Sequence, residues 1–123
     1  MRVGEVKRDT SETKIQLKLT LDSQAPSKID TGLPFLDHML YQIAKHGRMN
    51  LMIEVKGDLE VDCHHTAEDV GMAFGMALKE ALGGKAGIQR FADRIVPMDE
   101  VLALCAIDLS GRAYLGYDAV YPS

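Results

Sequence analysis

The 123 residues are enough for one domain with its own core, and a content of 46% hydrophobic and 26% charged residues is ordinary for a globular protein. A formal net charge of −4 argues against the basic face that nucleic-acid binding needs. No stretch approaches the roughly 20 apolar residues that span a bilayer, and MRVGEVKRDT lacks the apolar segment of a signal peptide. We therefore expect a cytoplasmic protein without nucleic-acid or membrane partners, in which Cys63 and Cys105 remain free thiols.

The chain begins with a predicted β-hairpin. Residues 13–21, TKIQLKLTL, alternate apolar and polar side chains, which is typical of a strand with one buried face. Residues 3–8 precede it and are expected to pair with it through a turn at residues 9–11.

Residues 34–46, PFLDHMLYQIAKH, are predicted to form a helix, since a proline opens the segment and a glycine follows it. Its apolar stripe comprises Leu36, Met39, Leu40 and Ile43. A polar stripe of His38, Gln42 and His46 follows at four-residue spacing and is placed to face an active site. For His46 the alternative is that it only offsets the charge at the carbonyl end of the helix dipole.

A strand is predicted at residues 51–55, and a second helix runs from about residue 66 to residue 82. Thr66 is the expected helix cap, with Asp69 completing a partial capping box; Asp62 is the alternative cap one turn earlier.

Two glycines interrupt this second helix. Gly71 and Gly75 each cost helix propensity, about 1 kcal/mol relative to alanine. Their four-residue spacing suggests that another backbone approaches the helix closely there.

The end of the chain repeats the pattern of its beginning. Residues 101–109 are a predicted strand with 114–121 as its hairpin partner, and a shift of 88 places the apolar phase of residues 15–21 on residues 103–109. We therefore predict an α/β fold, a two-layer sandwich with one sheet of about four strands and two helices on one face. Residues 1–84 form the first half-unit, and residues 85–123 supply a linker and the opening hairpin of a second, incomplete copy.

The segment DCHHTAED, residues 62–69, carries the chemistry. Imidazole and carboxylate ligands together suit Mn, Fe, Co, Ni or Zn ions better than Mg or Ca. If the helix reaches back to His64, then His64 and Glu68 share a face and can hold one ion. His65 points about 100° further round, which suggests a second ion or a substrate contact. The alternative is a plainly solvated helix start.

Four motifs, GLPFLDHML, GDLEVDCHHTAEDVG, GIQRFADRIVPMDE and DLSGR, closely resemble imidazoleglycerol-phosphate dehydratase of histidine biosynthesis in their order and spacing. The resemblance covers about residues 3–117. It implies two similar α/β halves, two Mn²⁺ ions per active site, and a homo-oligomer of trimers packed into a 24-subunit shell. It also implies a hydro-lyase that converts the small phosphate substrate imidazoleglycerol phosphate to imidazoleacetol phosphate and water.

The resemblance also assigns roles to individual residues. The implied metal ligands are His38, His64, His65 and Glu68. The implied substrate contacts are Glu12, Gln42, His46, Arg90 and Arg112, with the two arginines on the phosphate. The reaction must move a proton from a poor carbon acid, and a metal-bound imidazole can serve as the electron sink. Glu12 is the candidate for the acid/base role, although a glutamate at the head of a strand is often only solvated.

The sequence departs from the family in its missing second half. That half carries a second HHxxE, whose place 88 residues after His64 lies beyond Ser123. We therefore expect a part of a longer protein, without activity of its own. Family members also usually have an aromatic residue and an aspartate at Met49 and Asn50, outside the ligand set.

Two other functions compete with the dehydratase. One is a catalytically incomplete fragment that acts only as a metal-binding assembly module, its ions joining subunits. The other is a metal-dependent hydrolase, which explains neither the two arginines nor the DHML motif.

Overall fold

A computed structural model describes residues 1–121 of the chain. It divides the chain into two compact units, Met1–Ala86 and Gly87–Ser123, and each is described by itself. Within residues 1–121, no helix is both long and apolar enough to cross a membrane.

The first unit is one sheet covered by two helices. Its elements are, in chain order, β1 (Val3–Asp9), β2 (Thr13–Thr20), β3 (Lys28–Asp30), α1 (Pro34–His46), β4 (Asn50–Gly57) and α2 (His64–Leu82). The strand order is β1-β2-β4-β3, with β3 parallel to β4 and the other neighbours antiparallel. The predicted two-layer α/β fold is confirmed. Strand β3 was not predicted, because three residues are too few to show the period of a strand.

The core lies between the sheet and the helices. Ile15, Leu17 and Leu19 of β2 are buried while Gln16 and Lys18 between them are exposed, which confirms the predicted alternation. From β4 the same layer receives Leu51, Ile53 and Val55. Burying such an aliphatic side chain stabilises the fold by about 1.5–3 kcal/mol. The period of two therefore decides which face of the sheet receives the helices.

The predicted bounds of α1 agree with the structure, but its predicted apolar stripe is partly wrong. Leu40 and Ala44 are buried and Leu36 is partly buried, so the packed side is a row at four-residue spacing. Met39 and Ile43 remain exposed at 36% and 47%. A small alanine lets this row lie flat on the sheet, which turns the two larger side chains outward.

Helix α2 packs through small side chains against the sheet, and it buries Val70, Ala73 and Ala77. The closest approach falls on Gly4 of β1, where a Cβ atom would lie 1.9 Å from the Ala77 carbonyl oxygen. Gly71 and Gly75, in contrast, meet nothing within 4 Å in the described part of the chain. Within residues 1–121 no other backbone approaches these two glycines, so the approach expected there stays a prediction, and the close approach that does occur is at Gly4 on β1.

The start of α2 also differs from the prediction. The helix begins at His64 and its N-cap residue is Cys63, so neither Thr66 nor Asp62 stands at the cap position; Asp62 Oδ1 nevertheless accepts the His64 N–H at 2.8 Å. Thr66 does not cap the helix because it is fully buried against the end of β4. A Cβ atom at Gly57 would lie 2.0 Å from Thr66 Oγ1, so glycine is required at this contact.

The second unit is a hairpin of β5 (Phe91–Met98) and β6 (Val101–Asp108). The predicted partner of β6, residues 114–121, contains no strand, so that pairing is wrong. Two residues connect β5 to β6, and such a short connection favours local antiparallel pairing. Val3 pairs with Thr20 in the first hairpin, and Phe91 pairs with Asp108 in the second, which is the same register after a shift of 88.

Candidate functional site

The first pair of candidate ligands lies on one face of α2. Because the helix begins at His64, His64 and Glu68 stand one turn apart, and His64 Nε2 lies 3.1 Å from Glu68 Oε2. Both side chains are more than half exposed, so the pair is open to an ion or a substrate. This contact has the spacing that the sequence predicted.

The imidazole of the next residue, His65, points away from the pair of His64 and Glu68. His65 Nδ1 lies 2.7 Å from Asp58 Oδ2, and the rings of His64 and His65 are 5.5 Å apart at 73°. The hydrogen bond to Asp58 raises the pKa of His65 above its usual value, and the charges of Asp58 and Glu12 act in the same direction against desolvation. The two rings therefore point to different positions. That these are two metal positions stays a prediction.

Glu12 lies in the exposed turn between β1 and β2, beside the loop that precedes α2. Its carbonyl oxygen accepts the Asp58 N–H at 3.0 Å. Its carboxylate accepts the Thr10 hydroxyl at 3.3 Å, and its own N–H donates to Thr10 Oγ1 at 3.2 Å. The candidate acid/base residue is thus joined through Asp58 to a candidate metal ligand.

A buried network of polar side chains supports both Glu12 and the start of α2. Asp69 accepts the Thr13 hydroxyl at 2.7 Å and pairs with Arg8 Nη1 at 3.0 Å. The expectation that Asp69 is part of a capping box is therefore wrong, because its carboxylate points into the sheet. Since Thr13 follows Glu12 and Asp69 follows Glu68, the network fixes the two candidate groups relative to each other.

The polar stripe of α1 is present, and two of its members contact each other. His46 Nε2 lies 3.2 Å from Gln42 Oε1, and His38 is exposed on the same helix. This contact does not test whether the stripe faces a substrate. The assignments of Gln42 and His46 to substrate, and of His38 to metal, remain predictions.

The donors present fit a transition metal in kind but not in number. Imidazole and carboxylate groups suit Mn, Fe, Co, Ni or Zn, which take roughly four to six ligands. Among residues 1–121, no three His, Cys, Asp or Glu side chains are grouped to hold one ion. At the start of α2 the described residues therefore offer a histidine–carboxylate pair and one further imidazole, so a bound ion would take its remaining ligands from water or from residues elsewhere.

The two candidate phosphate ligands belong to the second unit. Arg90 donates from Nε and Nη2 to the carboxylate of Asp108, at 2.6 Å and 3.2 Å, and its guanidinium lies 4.8 Å from the Phe91 ring centroid. This hydrogen bond lowers the pKa of Asp108, and the charges of Arg90 and Arg112 lower it further. Asp108 thus holds one edge of the Arg90 guanidinium and leaves Nη1 for an anion.

The supporting role of Asp58 was not predicted from the sequence, and Asp62 and Asp69 were expected only as helix-cap residues. Asp58 contacts the His65 ring, Asp62 accepts the backbone N–H of His64, and Asp69 contacts Thr13 and Arg8. The one signal for Asp58 was its place directly after the glycine that ends a strand, next to a histidine-rich helix start.

Together these features define a two-layer α/β protein that presents imidazole and carboxylate groups at the start of a helix. The family model described as imidazoleglycerol-phosphate dehydratase matches residues 31–123. Relatives of that name from Thermus thermophilus and Streptococcus thermophilus are 57% and 56% identical over 117 and 121 residues. The chain belongs to the imidazoleglycerol-phosphate dehydratase family.

Solved structures agree with this membership. The crystal structure of imidazoleglycerol-phosphate dehydratase from Staphylococcus aureus matches 98% of the chain with a TM-score of 0.82 and 34% identity. The enzyme from Pyrococcus furiosus, solved in complex with (S)-C348, matches 94% with a TM-score of 0.79 and 34% identity.

The match does not extend over the whole of these proteins. The alignments cover 95% and 98% of this chain but only 60% and 62% of the two sequence relatives. They cover 66% and 60% of the two solved chains. The chain thus spans about three fifths of the length of the curated relatives that it matches.

Proposed function

We propose that this chain supplies the first part of an imidazoleglycerol-phosphate dehydratase, a lyase that removes water from imidazoleglycerol phosphate in histidine biosynthesis. The observation that carries the proposal is the placement of Glu12 beside the histidine-rich start of α2. The Glu12 carbonyl accepts the N–H of Asp58, whose carboxylate contacts His65.

In the proposed reaction each side chain has one task. Glu12 moves the carbon-bound proton, since its carboxylate is exposed and its turn is fixed at Thr10 and Asp58. Gln42 and His46 contact the substrate from α1. Arg90 and Arg112 bind the phosphate through paired N–H donors.

The metal ligands in this proposal are His38, His64, His65 and Glu68, and the ion is Mn²⁺, with two per complete site. A bound divalent ion polarises the groups that it holds and favours loss of a proton from a bound imidazole. Because no complete shell is grouped within residues 1–121, the proposal places further ligands outside them. Homo-oligomeric assembly, with trimers packed into a 24-subunit shell, belongs to the same proposal. So does a cytoplasmic location, which suits the free thiols of Cys63 and Cys105.

The test compares two proteins in a turnover assay with imidazoleglycerol phosphate and added Mn²⁺. One is the 123-residue chain, and the other is the same chain extended by the remaining C-terminal part of a relative such as that from Thermus thermophilus. We expect negligible turnover from the first and dehydration by the second, with loss of turnover on Glu12→Gln in the extended protein. An extended protein that binds Mn²⁺ without turnover would instead favour the metal-binding assembly module. Full activity of the 123-residue chain would contradict the placement of ligands outside it.

A further inference from the structure

Asp58 lies where the end of β4 meets the start of α2. Gly57 makes this possible, since a Cβ atom there would collide with Thr66 Oγ1 at 2.0 Å. The side chain of Asp58 is only 16% exposed, and its Oδ2 lies 2.7 Å from His65 Nδ1. Its N–H donates to the Glu12 carbonyl oxygen at 3.0 Å. One residue thus contacts both a candidate metal ligand and the backbone of the candidate acid/base residue.

The other carboxylate oxygen of Asp58, Oδ1, indicates that this residue has a role beyond stabilising the fold. Asp58 Oδ1 is buried and has no hydrogen-bond partner among residues 1–121. A buried carboxylate oxygen without a partner costs free energy, and native proteins contain few of them. The hydrogen bond between Asp58 Oδ2 and His65 offsets part of this free-energy cost.

The bond also determines which nitrogen of His65 is available. A carboxylate only accepts, so in the neutral ring the proton must lie on Nδ1. The lone pair is then on Nε2. Because the His65 side chain is 39% exposed, Nε2 is the nitrogen that an ion or substrate can reach. Carboxylates that hold a ligating histidine in this way fix both its tautomer and its orientation.

We propose that Asp58 is a positioning residue that holds His65 in the Nδ1–H tautomer and fixes its ring relative to the Glu12 turn. What Nε2 then binds rests on the proposed function, whereas the tautomer itself does not. The first measurement is therefore made without metal or substrate.

The test uses the 123-residue chain with ¹⁵N-labelled histidine and long-range ¹H–¹⁵N NMR spectra at a pH where the ring is neutral. We expect the Nδ1–H form in the unaltered chain. Asp58→Ala should change His65 to the Nε2–H form, and Asp58→Asn should restore Nδ1–H through its amide oxygen. Asp62→Asn is the matched control: it removes a neighbouring charge and keeps an acceptor for the His64 N–H, so His65 should stay in the Nδ1–H form.

Mn²⁺ titration of the same four variants, each in the chain extended by the C-terminal part of a relative, separates this inference from the proposed function. Asp58→Ala should weaken Mn²⁺ binding about 10- to 100-fold, and Asp58→Asn less. If the unaltered extended chain binds no Mn²⁺, the metal part of the proposed function fails, and the spectra still decide the role of Asp58. The Nε2–H form in the unaltered chain, or Nδ1–H retained in Asp58→Ala, would overturn the inference. If circular dichroism shows that Asp58→Ala is unfolded, the spectrum of the unaltered chain decides.

Discussion

The Thr13 hydroxyl donates a hydrogen bond of 2.7 Å to Asp69 Oδ2, and this bond joins the middle of the sheet to the first turns of α2. Both residues are buried, at 1% and 8% exposure. Arg8 from β1 completes the arrangement by pairing with the other oxygen of Asp69. A helix that carries candidate ligands is thereby fixed to the hairpin that carries Glu12.

Replacing Asp69 should therefore destabilise the fold. Asp69→Ala leaves the buried Thr13 hydroxyl without this acceptor and the partly buried Arg8 guanidinium without its ion-pair partner, which should cost about 2–4 kcal/mol of unfolding free energy. Urea unfolding of the 123-residue chain, followed by circular dichroism, measures this loss. Exposed Glu60→Ala is the control and should stay within about 0.5 kcal/mol of the unaltered chain. Equal stabilities for the two variants would show that the network contributes nothing.

Two glycine substitutions should have opposite effects. Gly4→Ala places a methyl group 1.9 Å from the Ala77 carbonyl, so strand and helix must separate, at a cost of about 3 kcal/mol. Gly75→Ala meets nothing within 4 Å and should stabilise the helix by about 1 kcal/mol. Thermal and urea unfolding of both variants measure these changes. If Gly75→Ala instead destabilises the protein, the result would support the close backbone approach that the sequence predicted at that glycine.

The Arg90–Asp108 pair should make the second unit sensitive to acid. The hydrogen bond from Arg90 lowers the pKa of Asp108, so the pair stabilises the hairpin above the unfolded carboxyl pKa of about 3.9. That contribution is lost as the pH falls through the lowered folded value. NMR titration of the Asp108 carboxyl carbon measures this pKa, and Arg90→Gln should raise it. A pKa that is unchanged in Arg90→Gln would contradict this explanation.

The two histidines of α2 should affect metal binding separately. The rings of His64 and His65 diverge, so in a full-length relative each →Ala substitution at the matching position should lower the bound Mn²⁺. Elemental analysis of the purified variants measures the metal content. Unchanged content in both variants would refute the ligand assignment. A structure with both rings on one ion would refute only the two-position part.

The sequence alone determined the features that depend on local periodicity. The alternation of residues 13–21 predicted β2 and its buried face, and the bounds of α1 followed from Pro34 and Gly47. The four-residue spacing of His64 and Glu68 predicted their contact, on the condition that the helix begins at His64. Such features are predictable because each depends on residues within one or two turns of the chain.

The tertiary structure alone decided which distant residues meet. Thr13 and Asp69 are 56 positions apart, and no local pattern indicates that a carboxylate near a helix start will point into the sheet and not cap the helix. Likewise, the sequence around Asp58 indicates only a turn residue. Its role depends on the contact between the end of β4 and the start of α2 at Gly57. The physical reason is that a buried polar group must find a partner, and packing decides which partner lies within reach.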